Sequence, residues 1–357
     1  MKNRFKEFVF EKEDGVQFFA RALDNEIFEL SEGKDGELII KSIPSNSKRT
    51  KPPMISSKKY ADVLSLYQDD AGNIAVVPPG WTVSGVTKEN TIFGKNVSLV
   101  IYRIPKEEVN NINWDDENEL ETLKKKYSQF VWVPVTLLDF DGTLDGEIFS
   151  EKLGRRNYYK DDKFSPEEYN EPLKGILLDQ LASTERYNGF YFSRYTISKS
   201  SNGKPISVKG QKPWIKVSFN EAKELAAIME RNDEVKSHLP YGAEYDSVLA
   251  WFLKTNSRTL EELNVDSTNW GNYWNSKDSF KNIALTGSNE NWSTNNIYDL
   301  AGNTDEWTQE MKSKIYRVSR GGSYDFDGYC LPVAYRSINK LHGSDNETGF
   351  RAVLYIK

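Results

Sequence analysis

Three short stretches decide the fold of this chain: IYDLAGNTDEW at residues 297–307, RVSRGGSY at residues 317–324 and GFR at residues 349–351. Two adjacent glycines, Gly321 and Gly322, permit a backbone geometry that a Cβ atom would forbid. Arg320 and Arg351 carry planar guanidinium groups that suit the tying together of loop carbonyls and carboxylates. Trp307 is most simply a core anchor, because a buried indole supplies a large packing area. The three stretches therefore predict short strands and tight loops held by buried side chains.

Two helices are predicted upstream of these stretches. Ser218 and Glu221 form a capping box, in which the side chain of each residue accepts a hydrogen bond from the backbone N–H of the other. The first helix follows this box, with Ala222 and Ala226 at core spacing. The second covers about residues 242–253, and some fifty irregular residues rich in Asn, Ser, Trp and Gly follow it. Strands on both sides of the helices complete a mixed α+β pattern.

The ordered motifs resemble those of the formylglycine-generating enzyme family, also called the sulfatase-modifying factor family. LPYGAEY at residues 239–245 is similar to the family's LPTEAEWE, and IYDLAGNTDEW is similar to its LYDMAGNVWEW. RVSRGGSY is similar to its RVLRGGSW, and both sequences close with GFR. The resemblance covers roughly residues 128–357. It implies an α+β fold of the C-type lectin type.

The N-terminal third predicts a separate β-rich domain. Apolar alternation and turn signals mark strand candidates at residues 8–10, 16–20, 37–40, 73–77 and 96–104. A short charged helix at residues 119–126 predicts the joint between this domain, residues 1–126, and the C-type-lectin-fold domain, residues 127–357. The first domain holds no catalytic constellation, so an attachment or spacer role is expected.

Composition excludes several classes of protein. The 357 residues carry a net charge of −6, which argues against nucleic acid as a partner because a duplex demands a basic face. The single cysteine, Cys330, excludes an intramolecular disulfide and a thiolate metal cluster. Two histidines, His238 and His342, argue against a zinc site built on imidazoles.

Targeting signals are not expected in this sequence. The N-terminal residues lack the apolar core of a signal peptide, and no later stretch has the length and apolar character of a membrane span. The sequence therefore predicts a protein made in the cytoplasm, without membrane insertion. If it acts outside the cell, a virion such as a phage tail is the expected carrier.

The resemblance also implies a calcium site. The family binds calcium through two carboxylates and two main-chain carbonyls, at positions that correspond to Asp299, Gly302, Thr304 and Glu306. Such an oxygen ligand set suits a hard cation. The alternative is that Asp299 and Glu306 cap turns or pair with arginines. Asn269 and Trp270 resemble a second calcium loop more weakly.

Enzymes of the family hold copper between two cysteines that follow the GGS motif. This chain has Phe326 and Leu331 at those positions, and Cys330 stands one residue away without a partner. Copper(I) needs paired thiolates. A related iron-dependent branch uses a histidine cluster that two scattered histidines cannot supply. Enzymatic oxidation is therefore not expected, and the alternative is a formylglycine-generating-type oxidase with a displaced or degenerate site.

A non-enzymatic branch of the same fold, the variable proteins of diversity-generating retroelements, resembles the chain more closely. In that branch the segment between RGGS and GFR is rewritten by adenine-directed mutagenesis of Asn codons, which cannot produce Trp, Gln, Lys, Met or Glu. Between Ser323 and Asn346 only Lys340 breaks this rule. The ligand-binding residues so implied are Asp325, Phe326, Asp327, Tyr329, Cys330, Leu331, Tyr335, Ser337, Asn339, Leu341 and His342. The alternative is an ordinary lectin-fold rim without special variability.

These features predict a non-enzymatic ligand- or receptor-binding protein, encoded by a phage or prophage, with a variable C-terminal surface on a C-type lectin scaffold. Its expected partner is a protein or carbohydrate receptor on a cell surface. Aromatic side chains supply contact area and small polar ones adapt, so the mixture suits such a surface. The N-terminal domain is expected to dock the protein to a particle or to sister subunits in a homo-oligomer. A cytoplasmic structural module is a third interpretation.

Overall fold

The chain forms two compact units, Met1–Lys51 and Pro52–Lys357. The computed structural model describes residues 52–137, 153–156, 171 and 176–357, and in the first unit it describes the backbone of four strands.

The first unit consists, in its described part, of two antiparallel hairpins. In the first, β1 (Phe5–Glu11) pairs with β2 (Gln17–Leu23), and in the second β3 (Ile27–Glu32) pairs with β4 (Leu38–Ile43). The strands expected in this region are therefore present. The turns expected between the strands of each hairpin lie outside the described residues.

The second unit mixes strands and helices. Its strands are β5 (Met54–Ile55), β6 (Ser65–Gln68), β7 (Ile74–Val77), β8 (Thr82–Val83), β9 (Val100–Tyr102), β10 (Gln129–Pro134), β11 (Gly189–Ser193), β12 (Ser198–Lys199), β13 (Pro205–Ile206), β14 (Val235–His238), β15 (Ser293–Thr294), β16 (Ile297–Tyr298), β17 (Asp305–Met311), β18 (Tyr316–Arg320), β19 (Ser337–Lys340), β20 (Thr348–Phe350) and β21 (Val353–Ile356). Its helices are α1 (Thr87–Asn90), α2 (Lys106–Val109), α3 (Glu117–Lys126), α4 (Ile176–Tyr187), α5 (Phe219–Ala227), α6 (Gly242–Lys254) and α7 (Leu260–Asn264).

Two sheets form the framework. The larger has six strands in the order β14-β21-β11-β10-β9-β8, and every neighbouring pair in it is antiparallel. The smaller has four strands in the order β19-β18-β17-β20, and its β17–β20 pair is parallel. Helix α6 contacts both β10 and β17, so it connects the two sheets. The α+β architecture expected from the sequence is confirmed.

The boundary between the units differs from the one expected at residue 126. Strands β8 and β9 belong to the large sheet, where Ile101 of β9 lies opposite Phe130 of β10. The described residues from Pro52 to Lys126 are therefore part of the second unit. Alternation in a sequence marks a strand but does not identify its partner, because that partner lies far away along the chain.

Helix α5 begins as its capping box predicts. The N–H of Ser218 donates to the carboxylate of Glu221 at 2.8 Å, and the N–H of Glu221 donates back to the Ser218 hydroxyl. Ala222 and Ala226 are buried, as their spacing predicts. Across the described residues, none of the helices combines the length and the apolar character that a bilayer span requires.

Every residue of helix α6 from Gly242 to Phe252 is buried, although the sequence predicts only one apolar face for this helix. Its two acidic residues in this stretch are paired inside the core. Glu244 contacts Nε2 of His238 at 2.8 Å, and Asp246 contacts Arg320 at 2.8 Å. A buried carboxylate persists only when such partners replace its lost hydration.

Trp307 is a core anchor, as expected. Its indole is buried, its Nε1–H donates to the carbonyl of Val217 at 3.0 Å, and its ring meets the edge of Phe219 at 6.1 Å between centroids. This contact holds β17 against the start of α5.

Candidate ligand-binding surface

The segment between β18 and β20 carries every residue predicted to bind a ligand. Its strand β19 lies at the outer edge of the four-stranded sheet. The exposed members of the predicted set are Asp325, Phe326, Tyr329, Cys330 and His342. The half-buried members are Asp327, Leu331, Tyr335, Ser337, Asn339 and Leu341. The structure therefore brings the predicted residues together on one segment and places none of them in the core.

Residues between these positions hold the segment to the framework. Val333 and Ala334 are buried. The N–H of Val333 donates to the Ser267 hydroxyl at 2.9 Å, and the N–H of Ala334 donates to the carbonyl of Leu263 at 3.0 Å. Outward side chains can change without disturbing these inward contacts, which is the arrangement that a binding loop requires.

A buried network of charges fixes the middle of the segment. Arg336 pairs with Asp246 of α6 and with Glu310 of β17, each at 2.7 Å. Asp246 also pairs with Arg320 of β18 at 2.8 Å. All four side chains are buried. Arg336 thus ties the displayed segment to α6 and to β17 at once.

The same network reaches the N-terminus of α6 through Glu171. The Glu171 carboxylate accepts hydrogen bonds from the N–H groups of Gly242 and Ala243, where the positive end of the helix dipole favours an anion. Arg155 lies 3.6 Å from Glu310 in this region. Burial and the nearby Glu310 carboxylate raise the pKa of Glu171 to about 8.

Stability is expected to fall as the pH rises from Glu171's ordinary pKa of 4.5 toward 8, and Glu171→Gln is expected to remove much of this fall. Because its pKa is raised in the folded state, the folded protein retains a proton that the unfolded chain releases at lower pH. The contribution is therefore fully present below the ordinary pKa and is lost through that window. Its size is on the order of a few kcal/mol. Urea unfolding of both proteins at pH 5 and pH 8 measures it.

Glu221→Gln is the control for this prediction. The backbone N–H of Ser218 lowers the pKa of the exposed Glu221 carboxyl, so its contribution is lost as the pH falls and is constant over the upper range. This variant should keep the difference between pH 5 and pH 8. An undiminished difference in Glu171→Gln would show that another group holds the proton.

The two glycines of the RGGS motif adopt the conformations expected of them. Gly321 has φ +102° and Gly322 has φ +73°, in the region that favours glycine. The carbonyl of Gly321 accepts hydrogen bonds from the Tyr273 hydroxyl at 2.7 Å and from the N–H of Gly302 at 2.8 Å. These bonds join the start of the displayed segment to the loops on either side.

Trp274 belongs to this surface although the sequence did not single it out. Its backbone N–H donates to the carbonyl of Phe326 at 2.9 Å, so the two residues lie on adjacent loop segments. The side chain of Trp274 is half exposed, and Lys281 lies 4.6 Å above its ring. The available signal was a tryptophan within the polar run NYWNSKDS, where no core is expected.

Carboxylates collect beside the first residues of the segment. Burial and neighbouring Asp345 and Glu347 raise the pKa of Asp305 to about 8. Burial and the charges of Asp325 and Asp345 likewise raise the pKa of Glu347 to about 7. The Ser323 hydroxyl donates to Glu347 at 3.3 Å. Shifts of this sign show that negative charge here is poorly compensated.

Of the predicted calcium ligands, Glu306 and Gly302 are held by partners within the chain. Both oxygens of Glu306 accept from Nε of Arg351, at 2.8 and 2.7 Å, and the Thr196 hydroxyl donates to the same carboxylate. The carbonyl of Gly302 accepts from the N–H of Thr304 at 2.9 Å. Arg351 therefore supplies the positive charge that a cation would otherwise bring, as the arginine-pairing alternative predicted for Glu306.

Asp299 and Thr304 each have a buried side-chain oxygen that has no partner in the described part of the chain. Oδ2 of Asp299 accepts from the N–H of Gly287 at 2.7 Å, and its buried Oδ1 is unpaired. Burial raises the pKa of Asp299 to about 7. Across the described residues, no three His, Cys, Asp or Glu side chains assemble as a metal-binding group. Main-chain carbonyls are not among these groups, so the calcium site implied by the resemblance stays a prediction.

The weaker second calcium motif is also arranged differently from a cage. Trp270 is buried, and its Nε1–H donates to the carbonyl of Glu262 at 3.2 Å. Asn269 is exposed beside it. Trp270 is thus a core residue that supports the loop on which Trp274 lies.

The two positions that hold copper in the family's enzymes carry apolar side chains on the displayed segment. Phe326 is exposed and Leu331 is half-buried. Cys330 is an exposed free thiol. The chain has no second cysteine, so a paired-thiolate copper centre cannot form within it.

The two-sheet framework, its buried connecting helix and the long segment displayed between two short strands define a C-type-lectin-like domain. The sequence matches the family model of the sulfatase-modifying factor enzyme 1-like domain over residues 61–356, and the chain belongs to this family. The match begins well upstream of residue 128, where the resemblance was expected to start. It agrees with a second unit that begins at Pro52.

Solved structures are similar to about half of the chain. Treponema denticola variable protein 1 is 16% identical, with a TM-score of 0.33, over 46% of this chain and 84% of that protein. CarF is 15% identical, with a TM-score of 0.34, over 48% and 87%. PvdO from Pseudomonas aeruginosa is 14% identical, with a TM-score of 0.33, over 47% and 81%. No curated protein matches the sequence.

Proposed function

We propose that this protein is a non-enzymatic binding protein that presents residues 325–342 as a variable ligand-binding surface. One observation carries the proposal: the predicted binding residues are exposed or half-buried, while Val333, Ala334 and Arg336 between them are buried and bonded to the framework. A segment built this way separates recognition from folding. The absence of a cysteine pair supports binding over oxidation.

The proposed ligand is a receptor on a cell surface, recognised by aromatic and acidic side chains. Residue usage between Ser323 and Asn346, where only Lys340 departs from the set reachable from Asn codons, supports diversification by a retroelement. We further propose that the protein is encoded by a phage or prophage and carried on a virion. The hairpins of Met1–Lys51 are proposed as its attachment or oligomerisation unit.

Substitution of exposed positions is expected to leave the fold unchanged. The triple change Phe326→Ser, Tyr329→Ser and Cys330→Ser should alter the free energy of unfolding by no more than about 0.5 kcal/mol per position, because these side chains are exposed. Val333→Ser should cost about 2 kcal/mol or more, because it puts a hydroxyl in the place of a buried isopropyl group. Urea unfolding of both variants provides the measurement.

Equal destabilisation by the triple change and by Val333→Ser would contradict a displayed segment. The non-enzymatic part of the proposal has a separate check. Purified protein incubated with copper and a cysteine-containing peptide should leave the thiol unoxidised beyond the rate with copper alone. Turnover that depends on the protein would make it an oxidase.

Calcium is expected to leave the stability of the wild-type protein unchanged. Arg351 already neutralises the charge of Glu306. Asp299 has a raised pKa, so its carboxyl group can be neutralised by a proton. Thermal unfolding with calcium chloride and with EDTA, together with calorimetric titration, tests this expectation. A calcium-dependent rise in Tm that disappears in Asp299→Asn would instead establish the calcium site implied by the resemblance.

A further inference from the structure

Three exposed aromatic residues stand on two backbone segments that meet at the C-terminal surface. The exposed fractions are 50% for Trp274, 44% for Phe326 and 66% for Tyr329. The backbone N–H of Trp274 donates to the carbonyl of Phe326, and the N–H of Gly328, the residue before Tyr329, donates to the side chain of Asn275. We call the three aromatic residues the aromatic patch. Large exposed aromatic groups that lie together mark a partner site, and Trp and Tyr dominate binding energy at such sites.

Three carboxylates of the displayed segment form what we call the acidic flank: Asp325, Asp345 and Glu347. Asp325 directly precedes Phe326 in the chain, and it hydrogen-bonds with Glu347. Within the described part of the chain, no Lys, Arg or His forms an ion pair with any member. Burial and neighbouring carboxylates raise the pKa of Glu347 to about 7, the response of an acid crowded by like charge. The flank therefore offers negative charge without a counter-charge of its own.

The chain already places a cation on the aromatic patch. Nζ of Lys281 lies 4.6 Å from the centre of the Trp274 ring, within the range of a cation–π contact. Lys281 is exposed and does not pair with the acidic flank in the described structure. The ring of Trp274 is thus presented in a way that accepts a positively charged group from solvent.

We propose that the aromatic patch and the acidic flank together bind a basic segment of a partner protein, with an Arg or Lys side chain on Trp274 and further cations on Asp325 and Glu347. This inference rests on the proposed function and names the class of its ligand. A neutral sugar would leave the carboxylates uncompensated, and nucleic acid or an anionic membrane would be repelled by them. Charge complementarity selects a basic protein, whose aliphatic stems also cover aromatic surface.

Two fluorescein-labelled peptides of equal length test the proposal, one alternating Arg with Leu and the other alternating Glu with Leu, in buffer containing EDTA. Fluorescence anisotropy should show binding of the Arg peptide to the full-length protein and none of the Glu peptide. Trp274→Ala should weaken the Arg peptide roughly tenfold, and Trp274→Phe should weaken it less because a ring remains. Asp325→Asn combined with Glu347→Gln should weaken it roughly fivefold at low salt, with the difference lost at high salt.

Lys281→Ala separates charge recognition from simple apolar contact. Removing this cation frees the Trp274 ring and removes a like charge, so the Arg peptide should bind about two- to threefold more tightly. Matched controls are Ile228→Ala and Glu224→Gln, which change an exposed apolar and an exposed acidic residue at α5 and should leave the affinity unchanged. Each variant is compared only if its Tm equals that of the wild type.

Three results would overturn the inference: no binding of the Arg peptide, equal binding of the Glu peptide, or an affinity that Trp274→Ala and the double acidic change leave unaltered. Such results would leave the proposed function standing, because substitution tolerance and thiol oxidation test it independently. Protein-dependent thiol oxidation would contradict the proposed function, whether or not the Arg peptide binds.

Discussion

Asp246→Ala is expected to destabilise the protein by about 3–5 kcal/mol, because two buried guanidinium groups then keep Glu310 as their one shared carboxylate. Asp246 is fully buried and pairs with Arg320 at 2.8 Å and Arg336 at 2.7 Å. Burial alone would raise its pKa, but Arg336 and Arg320 hold the pKa below its ordinary value. Urea unfolding monitored by tryptophan fluorescence measures the loss.

The exposed pair between Lys106 and Asp62 provides a matched control. Its 2.6 Å contact is as short as those of Asp246, but both side chains are more than half exposed. Asp62→Ala should therefore cost no more than about 1 kcal/mol. Similar losses in the two variants would mean that the buried network contributes nothing beyond an ordinary surface pair.

The loss at Asp246 should be accompanied by loosening of the displayed segment. Arg336 is the charged residue through which that segment reaches α6 and β17. Limited proteolysis of Asp246→Ala should therefore cleave between residues 323 and 346 faster than in the wild type, at a temperature where both remain folded. The network thus serves the proposed function by holding the surface in one place.

Gly322→Ala is expected to cost about 3 kcal/mol or more. Gly322 has φ +73°, and a left-handed conformation alone costs an alanine roughly 1–2 kcal/mol. A Cβ atom here would also lie 2.5 Å from the carbonyl oxygen of Leu331 and 2.8 Å from the ring of Tyr273. The backbone must shift to relieve these contacts, because a carbonyl cannot rotate away as a flexible side chain can. Thermal and urea unfolding measure the loss.

Gly203→Ala separates the conformational cost from the steric one. Gly203 has a nearly identical φ of +77°, but its nearest neighbour to an added Cβ is a Lys199 side-chain carbon at 3.9 Å. This variant should lose only the roughly 1–2 kcal/mol of the left-handed conformation. If the two variants lose the same amount, the close approach of Leu331 and Tyr273 contributes nothing.

Local signals in the sequence were reliable where the interaction they describe is local. The Ser218–Glu221 capping box, the start of α5 and the positive φ of Gly321 and Gly322 all follow from neighbouring residues, and all are present. Each of these features depends on contacts within a few residues, so a single stretch of sequence contains the whole interaction.

Features that join distant parts of the chain were not predictable in this way. Alternation marked a strand at residues 96–104 but assigned it to the N-terminal domain, because pairing with β10 depends on the complete sheet. Arg336 looked like any other residue of the variable segment, and Trp274 lies some fifty residues before Phe326. Their roles depend on partners that only folding brings within reach.

The sequence by itself determined the family, the α+β architecture and the loss of the cysteine pair, because ordered motifs and residue types are properties of the chain alone. Only the tertiary structure decided that Glu306 is neutralised by Arg351, that Arg336 points inward and that an aromatic patch lies beside unpaired carboxylates. The physical reason is that burial and charge compensation depend on which groups meet across the fold. These long-range contacts determine the pKa of each buried group, the ion pairs and the composition of the exposed surface.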